Sequence, residues 1–450
     1  MSDWLSRDEA RGLTRRVLGM SNAEGCEVSL TSSLAGNTRS AVDGVTTSGD
    51  AWNAQLTITS RFGRRSAAVT TNRLEDRWLG EAVAASERLA RLAPENPEMM
   101  PLLGPQPVIE VPALARSTAS LDGKAREGAA KMVIDAALGA GMQPAGFITR
   151  AVNAVAVANS AGLFTYHLSS VAGHSVTVRT PEGDGSGWAG TVHNDWRRAE
   201  DPEAMARRAI AKAAGSRRRT SLEPGRYTVV LEAQAVANLL QLMTGAMDAR
   251  AADEGRSFFS RPGGGTRLGE QVVDPRVTIL SDPGDPDLLE SPYTAEGEPI
   301  GRTVWVENGV AQNLRYSRYW AERQGVASRP GGGGIRMMGT EATLDELIGQ
   351  VDRGLLVTRF WYIRSVDPRF ILHTGLTRDG VFLIEQGRVT GAVNNFRFNE
   401  SPITMLGNLV ALGRPERVPG TESGGAEGSA IVVPPIVTRD FHFTSASEAV

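Results

Sequence analysis

A chain of 450 residues exceeds the roughly 250–300 at which one hydrophobic core stops growing, so two or three structural units are expected. Hydrophobic residues at 41% and charged residues at 22% are ordinary for a globular protein, and a formal net charge of −3 removes any global electrostatic reason to bind nucleic acid. Cys26 is the only cysteine, which excludes an internal disulfide and a cysteine-rich zinc module.

Met1–Ser6 is polar, and no window approaches the roughly 18 consecutive apolar residues of a membrane span. A cytoplasmic protein without a membrane partner is therefore expected. Asp3–Leu18 carries Leu5, Leu13, Val17 and Leu18 among charges, the pattern of a surface helix packed on one face. From Glu27 to Thr71 the texture is β, with Val28/Leu30 and Leu56/Ile58 alternating with polar neighbours. Leu74–Leu92 reads as a second helix. Six prolines between Pro94 and Pro112 then forbid regular structure and mark a linker or an ordered loop.

A second unit begins near Val108. Ser120 is placed to cap a helix from Leu121 to about Leu138, ended by Gly139 and Gly141. Ile148–Val157 and Leu163–Val178 look like strands, Pro181–Gly190 like a glycine-rich loop. Asp201–Pro202 opens a helix that ends around Gly215. Arg217–Arg219 reads as a solvated boundary.

In the third unit Tyr227–Leu231 is a strand and Gln234–Met247 is helical in composition. Asn308–Gly309 is a strong hairpin signal between Arg302–Glu307 and Val310–Tyr316. Thr343–Glu346 forms a capping box for a helix closing at Gly354, and Leu355–Val366 follows as one long strand. Arg378–Gly380 and Gln386–Gly387 mark further hairpins before Val393–Phe398. Thr421–Ser429 is a loop, and Ala430–Val437 a last strand. The fold class is thus α+β: N-terminal α/β units followed by a mostly antiparallel β C-terminal domain with inserted helices. The units are drawn at 1–107, 108–222 and 223–450.

The five histidines, His167, His174, His193, His373 and His442, include no pair at the spacing that sets two imidazoles on one helix face. His373 sits alone in an apolar strand and reads as a core histidine. No G-x-S-x-G elbow occurs, and neither Gly263–Gly265 nor Gly331–Gly334 continues as a phosphate loop. Cys26 lies in an alternating β segment, where a small buried residue is the default. Polar density concentrates instead at Arg359, Tyr362, Arg364, Asp367, Arg369, Arg378, Asp379, Asn399 and Glu400. Strand arginines between aromatics can clamp a carboxylate, or they can pair with a neighbouring Asp and stabilise the sheet; both readings stay open.

Arg353–Pro368, continued by Thr374–Gly380 and Asn395–Pro402, resembles the C-terminal signature of the TldD/PmbA family, specifically its PmbA or TldE branch. Upstream, Gly255–Ser260, Ala295–Gly297, Trp305–Gly309 and Tyr316–Trp320 fall in the family's order. The resemblance implies a two-chain metalloprotease acting on peptides or unfolded polypeptides, in which the TldD partner carries an H-E-x-x-x-H helix and its zinc. In this chain Leu239–Met247 stands at that helix, with Leu240, Gln241 and Gly245 at its degenerate positions and no histidine, glutamate or cysteine. A hydrolytic zinc needs about three protein ligands. No catalytic residue, metal ligand or cofactor is therefore expected in this chain. Arg359, Tyr362, Arg364, Arg378 and Asn399 are the candidate substrate contacts. Two rivals remain: an independent metal-free hydrolase using Asp367, Asp379 and Glu400, and a regulator associated with DNA gyrase, which only the family's older label suggests.

Overall fold

The computed structural model describes residues 4–42, 44–332, 334–420 and 430–447, so the loop expected at Thr421–Ser429 lies outside the described residues. The first half builds β1 (Gly25–Ala41), β2 (Gly44–Phe62), β3 (Arg65–Thr71), β4 (Gln143–Asn159), β5 (Phe164–Arg179) and β6 (Ser186–His193). They form one antiparallel sheet in the order β3-β2-β1-β4-β5-β6. β1 pairs with β4 from Glu27↔Asn159 to Ser40↔Gly146, so residues on both sides of the 107/108 boundary share this sheet.

The alternation read in β1 and β2 is the observed burial pattern. Val28, Leu30, Leu56 and Ile58 point into a core closed by Leu13 and Val17 of α1 (Arg7–Met20) and Leu79 and Val83 of α2 (Asp76–Leu92). The proline-rich stretch is an ordered loop. The Arg61 guanidinium donates to the Met100 carbonyl and the Asn159 amide to that of Leu103, both at 2.9 Å.

Past a short α3 (Arg116–Ala119), α4 (Gly123–Gly139) is capped by Asp122, whose side chain accepts from the Ala125 amide, rather than by Ser120. The Ser120 hydroxyl is turned back to the Ser117 carbonyl. α5 (Pro202–Gly215) begins as expected, with Asp201 accepting from Glu203 and Ala204. The segment 181–190 is corrected: its second half belongs to β6. Gly187 serves helix–sheet contact there, since a Cβ would strike the Ala209 carbonyl of α5.

The remaining strands are β7 (Gly225–Leu231), β8 (Ile279–Ser281), β9 (Thr303–Glu307), β10 (Val310–Ala311), β11 (Ile335–Met337), β12 (Arg353–Val357) and β13 (Phe360–Asp367). They continue with β14 (Leu372–Thr377), β15 (Val381–Glu385), β16 (Arg388–Ala392), β17 (Asn395–Glu400), β18 (Leu409–Leu412), β19 (Glu416–Pro419), β20 (Ala430–Val433) and β21 (Ile436–Ser447). One sheet runs β10-β9-β8-β11-β20-β19; a nine-stranded sheet runs β13-β14-β17-β21-β7-β12-β15-β16, with β18 on β21. Residues of both sheets share one core around α6 (Ala233–Gly245), including Leu239, Leu240 and Met243 with Ile279, Val306, Leu355, Phe360 and Phe398. The α+β class holds, with mostly antiparallel sheets and helices interspersed.

Three local readings are overturned. The helix opened by the Thr343 capping box ends at Gly349, and Gly354 lies inside β12. Leu355–Val366 is two strands: β12 pairs with β7 and β15, whereas β13 pairs with β14, and the chain turns at Thr358–Arg359. The expected last strand divides at Pro434–Pro435, β20 joining one sheet and β21 the other. Asn308 and Gly309, at φ 49° and 79°, make the left-handed hairpin turn that their sequence requires.

His174 is wholly buried beside Trp196, its Nδ1 without a hydrogen-bond partner among the described residues, and burial pushes its pKa down to about 3. His167 is pushed to about 4 for the same reason. Unfolding releases both rings to take a proton near the ordinary histidine value of about 6.5. Their contribution is therefore complete above that pH and declines as pH falls through it toward 4 and 3. At pH 5 His174 alone is expected to cost about 2 kcal/mol. His174→Leu should flatten the dependence of the urea midpoint on pH between about 7 and 5; an equally steep variant would contradict this account.

Candidate functional site

The break between β12 and β13 creates a charged corner of the third sheet. Thr358 directs its hydroxyl toward the carbonyls of Arg378, Asp379 and Gly380 at 3.2–3.3 Å. The Arg378 amide donates to the Arg359 carbonyl at 3.2 Å. From the core side, the Asn238 side chain of α6 accepts from the Phe360 amide at 3.2 Å. These bonds fix Arg359 and Arg378 side by side. Arg378–Gly380 is thus not a hairpin, because β14 and β15 do not pair with each other.

Asp379 sits between the two arginines with its side chain 2% exposed. Its carboxylate lies 3.6 Å from the Arg359 guanidinium and 3.9 Å from that of Arg378. The Ser186 hydroxyl of β6 donates to it at 2.6 Å, tying the first sheet to the third. Asp379 adopts φ 57°, a left-handed conformation that aspartate tolerates better than most residues. Gly380 follows at φ 129°, where a Cβ would also collide with Phe382.

The corner forms one wall of a cleft of about 490 Å³ between the first and third sheets. Arg359 lies 4.4 Å over the Trp188 ring and 5.2 Å over Trp361, and Arg378 lies 4.9 Å over Trp361. On the opposite wall Arg39 of β1 lies 4.9 Å over Phe147 of β4. The expected contacts are therefore divided. Arg359 and Arg378 line the cleft, whereas Tyr362 and Arg364 stack on each other along β13 at 4.1 Å. Asn399 of β17 faces Thr374, which faces Arg364, so these three share one cross-strand row beside the cleft.

Asp367, Asp379 and Glu400 do not share partners. Asp367 lies 3.6 Å from Arg369, and Glu400 is buried, accepting from the Ser401 and His442 amides. Burial raises the Glu400 pKa, outweighing those two bonds. His373 places Nδ1 2.9 Å from the Ile371 carbonyl. Trp188, Phe147 and Arg39 escaped sequence reasoning: Trp188 lies in the segment read as a loop, and the others are brought in by strand pairing. Arg359 and Trp361 lay in one stretch read as a strand, where residues two apart share a face, although Arg359 sits at the turn just before β13.

On α6, Leu239, Leu240 and Met243 are fully buried, Gln241 is half-buried, and the exposed Gly245 offers no side chain. This donor set does not fit a hydrolytic metal. Among the described residues, no group of three or more His, Cys, Asp or Glu is placed to hold one. No helix among them is long and apolar enough to cross a membrane.

The architecture is that of a metallopeptidase family. Residues 224–445 match the PmbA/TldA metallopeptidase C-terminal domain and residues 113–217 its central domain. The chain belongs to the PmbA/TldD family. It is 25% identical over 251 residues to a metalloprotease of Methanothermobacter thermautotrophicus, and 29% identical over 135 residues to one of Archaeoglobus fulgidus. These alignments span 52% and 30% of this chain, and 53% and 28% of those relatives. The crystal structure of TldE from Thermococcus kodakarensis has the same fold, with TM-score 0.81 and 17% identity over 97% of this chain and 99% of that one. A candidate modulator of DNA gyrase from Thermotoga maritima gives TM-score 0.82 at 18% identity, over 97% of this chain and 100% of that one.

Asp379→Asn keeps the shape of the corner but removes the buried negative charge that lies beside Arg359 and Arg378. A loss of about 3 kcal/mol in urea unfolding is expected. A variant within about 0.5 kcal/mol of the parent would show that the carboxylate's charge is not what holds the corner.

Proposed function

We propose that this chain is the non-catalytic, TldE-like subunit of a two-chain cytoplasmic metalloprotease that acts on peptides or unfolded polypeptides. A TldD-like partner supplies the H-E-x-x-x-H helix and its zinc, and this chain helps to form the substrate chamber. The observation that carries the reading is α6, whose leucines and methionine are committed to the core between two sheets. Family membership and the TldE fold support it.

Arg359 and Arg378 contact substrate at the cleft, and the neighbouring row of Arg364 and Asn399, with Tyr362, flanks an extended peptide. Direct contact with nucleic acid is not part of the reading, because the net charge is −3. The rival of an independent hydrolase gains nothing from Asp367, Asp379 and Glu400, which hold separate partners.

The test is to purify the chain alone and together with an H-E-x-x-x-H homologue, then to measure zinc content and cleavage of an unfolded polypeptide. Co-purification, with zinc and cleavage appearing only in the mixture, is expected. Stoichiometric zinc and hydrolysis by the lone chain would refute the assignment.

A further inference from the structure

A different cleft opens where β6 and α5 of the first half meet α6 and β19 of the second. Its volume is about 360 Å³, and Trp188, Leu344, Val418 and Pro435 give it apolar walls. The cations beside it are already paired. Lys212 meets Glu232 at 2.6 Å, with neither side chain more than 15% exposed, and Arg208 meets Glu200 at 2.5 Å. Glu416 stands exposed at the rim.

Two kinds of hydrogen-bonding group on these walls lack a mate. Gln234 is 6% exposed; its Nε2 donates to the Pro419 carbonyl at 3.1 Å, and its Oε1 has no partner among the described residues. The helix start supplies the other kind. The first bond inside α6 runs from the Val236 amide to the Glu232 carbonyl, and Glu232, held by Lys212, does not cap the amides of Ala233 and Gln234 that precede it. An unpaired acceptor therefore stands beside unpaired donors that carry the partial positive charge of a helix start. A peptide group answers both, because it presents an N–H and a carbonyl side by side. A carboxylate brings no N–H for Gln234, and an ammonium brings no oxygen for the helix start.

We propose that this cleft binds an internal apolar residue of a polypeptide through its backbone. A peptide N–H donates to Gln234 Oε1, a peptide carbonyl accepts from the Ala233 and Gln234 amides, and the side chain rests among Trp188, Leu344 and Val418. The proposal rests on the reading of this chain as a polypeptide-holding subunit and adds which part of the polypeptide is held. A volume of about 360 Å³ suits one residue with its flanking peptide groups. Trp188 also carries Arg359 over its ring at 4.4 Å, so a single indole stands between this cleft and the arginine corner.

The experiment uses the purified full chain and measures calorimetric binding of N-acetyl-leucine methylamide, which carries both flanking peptide groups and no charge. N-acetyl-leucine as the free acid and leucine methylamide with a free ammonium are the comparisons, and each is expected to bind at least about 10-fold more weakly. Gln234→Leu removes the acceptor and should cost most of the affinity. Ala211 is exposed on α5 at the cleft, so Ala211→Phe should block the site while keeping the thermal midpoint of the parent. That variant decides the matter even if the Gln234 variant does not fold. No binding of the doubly blocked compound, or binding that Ala211→Phe leaves unchanged, overturns the proposal. So does tighter binding of the ammonium compound, which would mark an amine site at Glu416, or of the acid, which would mark an anion site at the helix start. Zinc and hydrolysis in the lone chain would refute the subunit reading while leaving this binding intact, so the two failures are separable.

Discussion

A carboxylate taken out of water must be matched by charge and hydrogen bonds, and the meeting of the first and third sheets is organised around that requirement at Asp379. Arg359 and Arg378 stand on one side of it and the Ser186 hydroxyl on the other. Because Ser186 opens β6 and Asp379 lies in the turn after β14, satisfying this group ties the two sheets together at this corner. The break between β12 and β13 follows from the same need. A continuous strand would carry Arg359 straight past Asp379, whereas the turn at Thr358 holds them together.

The second organising element is α6. A helix enclosed by two sheets gains about 1.5–3 kcal/mol for each large apolar side chain it buries, and here Leu239, Leu240 and Met243 are all fully enclosed. Metal ligands on the same surface would need an opening to water and charged partners behind them. Leu240 is committed to this packing, whereas half-buried Gln241 and exposed Gly245 bring no carboxylate or imidazole to that face. One polar residue on α6, Asn238, is put to use, since it accepts from the Phe360 amide and anchors the strand that begins beside Arg359. Core packing and the arginine cleft are thus mechanically connected.

That connection gives the two-chain reading its physical content. In the proposed role, this chain acts by holding a polypeptide in place. A rigid pair of stacked arginines on a sheet corner suits that task better than a loop would. The stacking partners come from different parts of the chain, Trp361 from the same corner, Trp188 from β6 and Phe147 from β4, so the cleft exists only when the sheets are docked.

Much of the fold was legible in the residues themselves. Alternation along β1 and β2, the Asp201–Pro202 start of α5, the Thr343 capping box and the Asn308–Gly309 turn are set by neighbouring residues, and each appears where local chemistry places it. The lack of ligand-bearing residues on α6 is equally a property of sequence. Other features answered to distant contacts. Gly187 looked like a loop residue because nothing nearby reveals that α5 presses on it. Leu355–Val366 looked like one strand because its apolar run does not disclose that its two parts pair with different neighbours. Sequence alone therefore determined the periodicity of the elements, their caps and the chemistry available on each. Only the tertiary structure decided that Arg359 and Arg378 face Arg39 across a cleft while Tyr362, Arg364 and Asn399 lie outside it. Sheet register and packing act between residues far apart in the chain, and local composition does not encode them.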